Sequence, residues 1–187
     1  MRIVREVVRD AVAIARWFNR GHVGVRELAT TMTHDGSQAL VLSRLRQAGR
    51  RWRIPLVGSV VRRVQTVFFG IEIGGDVELG EGVVFLHTVG VVIGGDARIG
   101  DRVVFLGGNT VGTIDWKGYP RIGNDVTVGA GARILGPITI GDGATIGANA
   151  VVVCDVPPGS TAVGVPAVVR SRGARAPSAG DRAASDD

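Results

Sequence analysis

Ile73-Gly74-Gly75-Asp76-Val77-Glu78-Leu79-Gly80 opens the stretch whose reading decides this fold, and its pattern persists to Pro166. A large apolar residue returns at steps of six: Ile73, Leu79 and Phe85, then Ile93, Ile99, Phe105 and Val111, then Ile122, Val128, Ile134, Ile140, Ile146 and Val152. A companion column of small or aliphatic residues runs beside it through Val77, Val83, Ala97, Val103, Val126, Ala132, Ile138, Ala144 and Ala150. Such a period fits neither the helical repeat nor an independent strand; it is the pattern of a parallel β-solenoid, in which each hexapeptide supplies a short flat face and a turn. Glycine often follows the large apolar residue, as a tight corner requires. One coil cannot bury its own apolar face, so the stack supplies the core. With about 18 residues to a three-sided coil, roughly four to five coils fit between residues 73 and 156.

The period breaks twice. From Phe85 to Ile93 the step is eight, and His87 lies inside the expanded turn. From Val111 to Ile122 it is eleven, so Ile114-Asp115-Trp116-Lys117-Gly118-Tyr119-Pro120-Arg121 leaves the coil as a loop. Insertions in a solenoid are displaced to its surface, where sites are commonly built.

Working outward, residues 1–70 read as a helical segment, 71–170 as the β-helix, and 171–187 as a disordered tail with little to bury. The first helix spans Met1 to Arg20 with Ile3, Val7, Val8, Val12, Ala15 and Phe18 inward. Residues 21–36 read as loop and a short turn. Ser37 caps a second helix, with Leu40, Val41, Leu45 and Ala48 inward. Pro55 opens a third, with Leu56, Val60, Val64, Val67 and Phe68 as its apolar face. Val156-Pro157-Pro158-Gly159 ends the repeat, because proline has no N–H to extend a ladder.

Charge is uneven. Residues 1–70 carry 13 Arg against 4 acids, whereas residues 71–187 carry 9 basic residues against 13 acids. The basic part has no nucleic-acid-binding motif, so its readings are a solvated helix face or contact with a membrane surface. A single cysteine, Cys154, excludes a disulfide framework. With no signal-peptide pattern and no transmembrane run, a cytoplasmic protein is expected.

Three histidines, His22, His34 and His87, lack the paired spacing of a metal site, so no metal is expected. His87 stands where the repeat yields, and a neutral imidazole can take a proton from an attacking hydroxyl. Asn109 sits in the inward apolar column, where its amide must find partners.

The segments Phe69-Gly70-Ile71-Glu72-Ile73, His87-Thr88-Val89-Gly90-Val91-Val92-Ile93-Gly94, Val128-Gly129-Ala130-Gly131-Ala132-Arg133-Ile134-Leu135-Gly136, Ile146-Gly147-Ala148 and Gly164-Val165-Pro166-Ala167 follow one another in family order. Together they resemble the serine acetyltransferase-like hexapeptide acyltransferases over about 100 residues. The helix-led start Phe68-Phe69-Gly70-Ile71-Glu72 looks closer to the exopolysaccharide-type O-acetyltransferases of that superfamily. The resemblance implies a left-handed β-helix, a homotrimer with sites between neighbours, and acetyl-CoA as donor. By position it implies His87 as general base and Glu72 as its orienting carboxylate. It also implies a CoA path along Gly112, Thr113, Ala130 and Ala148.

Three positions depart from typical serine acetyltransferases: Leu86 replaces an Asp, Gly95 a Glu, and Tyr119 a His. These lost groups help to hold serine, so the expectation is an acetyl-CoA-dependent O-acetyltransferase acting on a small or glycosyl hydroxyl. Asp115, Trp116 and Tyr119 are its expected acceptor contacts. Serine O-acetyltransferase with a modified pocket is the alternative, and a non-catalytic β-helix scaffold a further one.

Overall fold

The computed structural model describes residues 2–19 and 21–171. Four helices come first: α1 (Arg2–Phe18), α2 (Val25–Thr31), α3 (Asp35–Arg51) and α4 (Val57–Phe69). Five coils follow; the first four each contribute one short strand to each of three faces, and the fifth contributes strands to two. The first coil holds β1 (Ile71–Ile73), β2 (Glu78–Leu79) and β3 (Val84–Phe85); the second holds β4 (Val91–Ile93), β5 (Arg98–Ile99) and β6 (Val104–Phe105). The third has β7 (Thr110–Gly112), β8 (Arg121–Ile122) and β9 (Thr127–Val128); the fourth has β10 (Arg133–Leu135), β11 (Thr139–Ile140) and β12 (Thr145–Ile146). The fifth closes with β13 (Val151–Val152) and β14 (Thr161–Val163), and β15 (Val168–Arg170) folds back after it. The faces stack as β1-β4-β7-β10-β13, β2-β5-β8-β11 and β3-β6-β9-β12-β14-β15. All pairs are parallel except β14 with β15, which is antiparallel.

The ladder register measures the two breaks directly. Ile73 pairs with Ile93, Ile93 with Val111, and Ile99 with Ile122. The extra residues of the first and third coils therefore sit wholly in turns, and both hexapeptide columns stay in phase. Every residue of those columns is buried. Outward positions alternate with them as period 2 requires, for example in β1, where Ile71 and Ile73 are buried around exposed Glu72.

The corner after the second face is tied by side chains. The backbone N–H groups of Glu81, Asp101 and Asn124 donate to the side-chain oxygens of Asp101, Asn124 and Asp142, each one coil further on, at 2.7–2.9 Å. A polar residue after the corner glycine thus satisfies the coil beneath it.

At the start of the stack, first-coil carbonyls have no coil beneath them, and α3 supplies arginines to meet them. Arg44 spends all five donors: two on Asp10, one on Gln47, and one each on the carbonyls of Leu79 and Gly80. Asp10 also accepts the Gly82 N–H at 2.8 Å. Arg46 donates to the carbonyls of Ile73 and Gly74, and Arg50 to that of Gly75. Burial, then the neighbouring Arg50 charge, hold the Arg46 guanidinium below its ordinary pKa.

The helical segment departs from the periodic reading. In α1 the buried face is Asp10, Ala11, Ile14 and Ala15, while Val8 is exposed. The Asp10–Arg44 pair sets that rotation, overriding the purely apolar stripe. A full helix, α2, forms within 21–36. His34, not Ser37, is the N-cap of α3; Ser37 is buried within it, and Leu45 is exposed. Pro55 precedes α4, whose N-cap is Leu56 in the left-handed region (φ 67). The expected inner face of α4 points largely outward, with Leu56, Val60, Val67 and Phe68 exposed. Val61 and Gln65 face α3 instead, because the Gln65 amide donates to Ala39 O at 2.9 Å and Ser43 Oγ at 2.8 Å. A buried amide needs partners, and that requirement turns the helix.

Pro157 and Pro158 do not end the repeat. Val156 alone extends the second face, bridging Ile140: its N–H donates to Thr139 O and its carbonyl accepts from Gly141. The prolines fall at the corner beyond it, where no ladder donor is needed, and Ala162 continues the buried column. Apart from Ser171, the expected disordered tail lies outside the described residues. Among the described residues no helix is long and apolar enough to cross a membrane.

Removing the charge in Asp10→Asn leaves a buried guanidinium without its counter-ion, a change that costs about 3–5 kcal/mol. Urea unfolding of the variant should show the midpoint lowered accordingly. An unchanged midpoint would mean that the carbonyls alone hold Arg44.

Candidate active site

The first break in the period forms residues 86–90, the turn from β3 to β4, and backbone bonds hold it from both sides. Gly90 N–H donates to Gly70 O at 2.9 Å, Gly108 N–H to Val89 O at 3.2 Å, and Val91 N–H closes the turn on Thr88 O at 3.1 Å. Thr88 is buried, while His87 and Val89 are exposed. One coil above, Gly107 (φ 124) lies against His87: a Cβ there would come within 2.9 Å of the His87 Cβ. Its glycine is therefore required twice, by conformation and by the approach of the histidine. The His87 side chain is exposed and has no hydrogen bond or ion pair among the described residues.

Glu72 projects outward from β1 beside Val92, two residues after the Gly70 carbonyl that anchors the His87 turn. Its carboxylate meets Arg62 of α4 at 3.5 Å, and both side chains are about half exposed or more. The structure thus sets Glu72 on the first strand of the first coil and His87 in the turn that ends it, and it pairs Glu72 with an arginine that the sequence reading did not single out. The available signal was a basic residue on the helix running directly into β1.

Above His87 the same corner is lined by small groups. Gly107 and Gly108 come first, then Ala130 and Gly131, then Ala148 and Asn149. Backbone bonds join these coils, Gly131 N–H to Gly107 O at 2.9 Å and Asn149 N–H to Ala130 O at 2.8 Å. Ala130 and Ala148 are exposed, leaving a shallow track that rises from the histidine. Gly112 and Thr113 are not on it: Gly112 ends β7 and Thr113 follows it, at the opposite edge of the first face, where the excursion loop begins. Asn109 stabilises the turn region from within. It accepts the Gly107 N–H at 3.0 Å and donates to Gly129 O at 2.6 Å, so its role is to satisfy the backbone beneath the track.

The excursion loop separates its candidate residues. Tyr119 lies flat over Gly94 and Gly95, so closely that a side chain at 95 would overlap its ring. Gly95 also has φ 57. Trp116, by contrast, is 87 % exposed. Asp115 and Lys117 form a solvent-facing ion pair at 4.0 Å, and Asp115 and Trp116 both adopt left-handed conformations (φ 53 and 57). No cluster of three or more His, Cys, Asp or Glu suited to a metal ion occurs among the described residues.

Residues 119–154 match the bacterial transferase hexapeptide (six repeats) family. A serine acetyltransferase of Helicobacter pylori strain J99 is 42 % identical over 139 residues, covering 73 % of this chain and 81 % of the relative. A match of that length cannot avoid the middle of the chain, so it includes the His87 turn and the excursion loop. Among solved structures, a soybean serine acetyltransferase complexed with serine superposes with TM-score 0.77 at 35 % identity, over 89 % of this chain and 70 % of the other. A serine acetyltransferase in complex with CoA gives TM-score 0.81 at 29 % identity, over 90 % and 69 %. These relatives do not support the expected closer likeness to exopolysaccharide-type enzymes. The Phe68–Ile71 junction behind that expectation is a plain helix stop, with Gly70 in the left-handed region (φ 62) as the α4 C-cap. By this extent of likeness in sequence and coil architecture, the chain belongs to the serine acetyltransferase family of hexapeptide-repeat acyltransferases.

Proposed function

We propose that this chain transfers the acetyl group of acetyl-CoA to the hydroxyl of L-serine, with His87 as general base. The observation that carries this reading is the likeness to serine acetyltransferases across the His87 turn, where an exposed imidazole, without a hydrogen bond or ion pair among the described residues, stands below a corner of small residues. In the proposed reaction His87 takes the hydroxyl proton as the oxygen attacks the thioester carbonyl. The tetrahedral intermediate then collapses, its C–S bond breaks, and the imidazolium returns the proton to the CoA sulfur. Backbone N–H groups of the corner are suited to polarise the carbonyl oxygen. The pantetheine arm would lie along Ala130 and Ala148, with Gly112 and Thr113 reached only by a ligand crossing the first face.

Glu72 is assigned to orient the imidazole and stabilise its charged form. Its exposed pair with Arg62 is of a kind worth only about 0–1 kcal/mol, so the carboxylate can exchange that partner for His87 at little cost. The single chain leaves the His87 corner open to solvent, and a homotrimer in which a neighbour closes it is the proposed working assembly.

A second reading, a neutral polyol or glycosyl acceptor, is favoured by one observation. Tyr119 occupies the space over Gly95, and Leu86 adjoins His87, so two of the family's ionic serine contacts are replaced by an aromatic face and an alkyl group. Burying either charged end of serine without a partner is costly, which leaves Asp115, Lys117 and Arg121 of the loop to serve it.

His87→Ala should lower turnover roughly 10²–10⁴-fold with the fold retained, and Glu72→Gln should lower it less. Near-normal turnover in His87→Ala would remove His87 as the base, and no turnover in the unaltered chain would favour the scaffold alternative. Thiol release from acetyl-CoA, measured with L-serine beside a panel of neutral sugars and polyols, separates the two acceptors. Higher kcat/KM for L-serine supports the main reading; higher kcat/KM for a polyol, weakened by Trp116→Ala, supports the second. Light scattering should report a trimer or a multiple of it, and a fully active monomer would rule out the shared site.

A further inference from the structure

The outward stripe of α4 is part of a larger apolar surface. Leu45 and Gly49 of α3, Trp52 and Ile54 of the connection, and Leu56 and Val60 of α4 line a groove of about 500 Å³. A second hollow of about 210 Å³, sharing Ile3 and Leu45, extends it along α1 through Val4 and Val8. Trp52, Leu56 and Val60 are 65 %, 75 % and 59 % exposed. Continuous apolar exposure on this scale marks a surface that meets something.

Charge around the surface narrows the choice. From Gly36 to Ile71 the chain has seven arginines and no acidic residue. Arg44, Arg46 and Arg50 are committed to first-coil carbonyls, and Arg62 to Glu72. Arg51, Arg53 and Arg63 carry no ion pair among the described residues, and all three are exposed. Arg51 and Arg53 flank Trp52, and Arg63 lies one helical turn from both Val60 and Val67. The occupant is therefore anionic around an apolar centre. Residues 172–187 do not suit it, since they contain nothing apolar larger than alanine and proline. A second copy of the chain would set one arginine rim against another.

We propose that this face docks onto an anionic lipid surface. Val8, Leu45, Trp52, Ile54, Leu56 and Val60 enter the boundary between headgroups and acyl chains, and Arg51, Arg53 and Arg63 lie over lipid phosphates. The His87 corner contributes nothing to this face, so docking leaves the acyl-transfer site free, and the inference is independent of the acceptor.

Co-sedimentation of the full chain with phosphatidylcholine vesicles, with and without phosphatidylglycerol, tests it. Binding should need the anionic lipid and fall steeply at about 1 M salt, where the screening length shrinks to ~3 Å. Arg53→Gln and Arg63→Gln should each weaken binding about fivefold. Trp52→Ser with Leu56→Ser should remove most of it while thiol release from acetyl-CoA is unchanged, which shows the fold intact. Equal binding to both vesicle types, or to neither, overturns the proposal. So does a fall in oligomer size of the Trp52/Leu56 variant with vesicle binding unaltered, which would identify the face as a contact between copies.

Discussion

A stack of coils has two ends, and at the first of them the backbone has no neighbour to bond. Most of this architecture answers that constraint. Inside the stack each coil satisfies the one beneath it through parallel ladders, and corner side chains of Asp and Asn complete the accounting. At the base, α3 lays Arg44, Arg46 and Arg50 against five carbonyls of the first coil. An arginine suits this task because its planar fork reaches two acceptors at once and keeps its charge. The Arg44 charge then needs Asp10, and Asp10 sets the rotation of α1. One unpaired edge thus propagates into the packing of two helices.

At the far end a different device is used. Strand β15 turns back antiparallel on β14, and its Val169–Ala162 and Arg170–Thr161 pairings cover an edge that would otherwise invite another chain. The unequal treatment of the ends accounts for part of the uneven charge. Three of the thirteen arginines of the helical segment are committed to carbonyls, and Arg51, Arg53 and Arg63 face solvent around the apolar groove.

The site grows from the same regularity. A solenoid corner normally leaves no room for a functional side chain, because the next coil lies directly above. Two added residues push His87 outward, and glycine at 107 lets the coil above pass behind it. Higher on that corner only small residues follow, so a long, narrow ligand can lie against the stack. The larger insertion works differently: it carries Trp116 away from the body and folds Tyr119 back onto Gly95, so the two aromatic residues of one loop have separate environments.

How much of this was legible beforehand follows from the range of each interaction. The hexapeptide columns, Ile73 through Val152 and Val77 through Ala150, stated the coil architecture and placed His87 and the excursion at its breaks, because a period-six pattern is a local property that backbone geometry enforces everywhere alike. Asn109 in an apolar column announced a buried amide. The helical segment was less legible: periodicity showed helices but misjudged the faces of α1 and α4. Those faces are chosen by Asp10 with Arg44 and by Gln65 with Ala39 and Ser43, contacts between residues 22 to 34 positions apart. The Glu72–Arg62 pair and the stacking of Tyr119 over Gly95 are of the same kind. The amino-acid sequence by itself determined the coils, their phase and the turn that presents His87, since these need only neighbours in the repeat. Tertiary structure alone decided which helix faces are buried and which side chains surround the site. The physical reason is that a buried polar group takes whatever partner the fold brings within hydrogen-bond reach, and that partner is not written in local spacing.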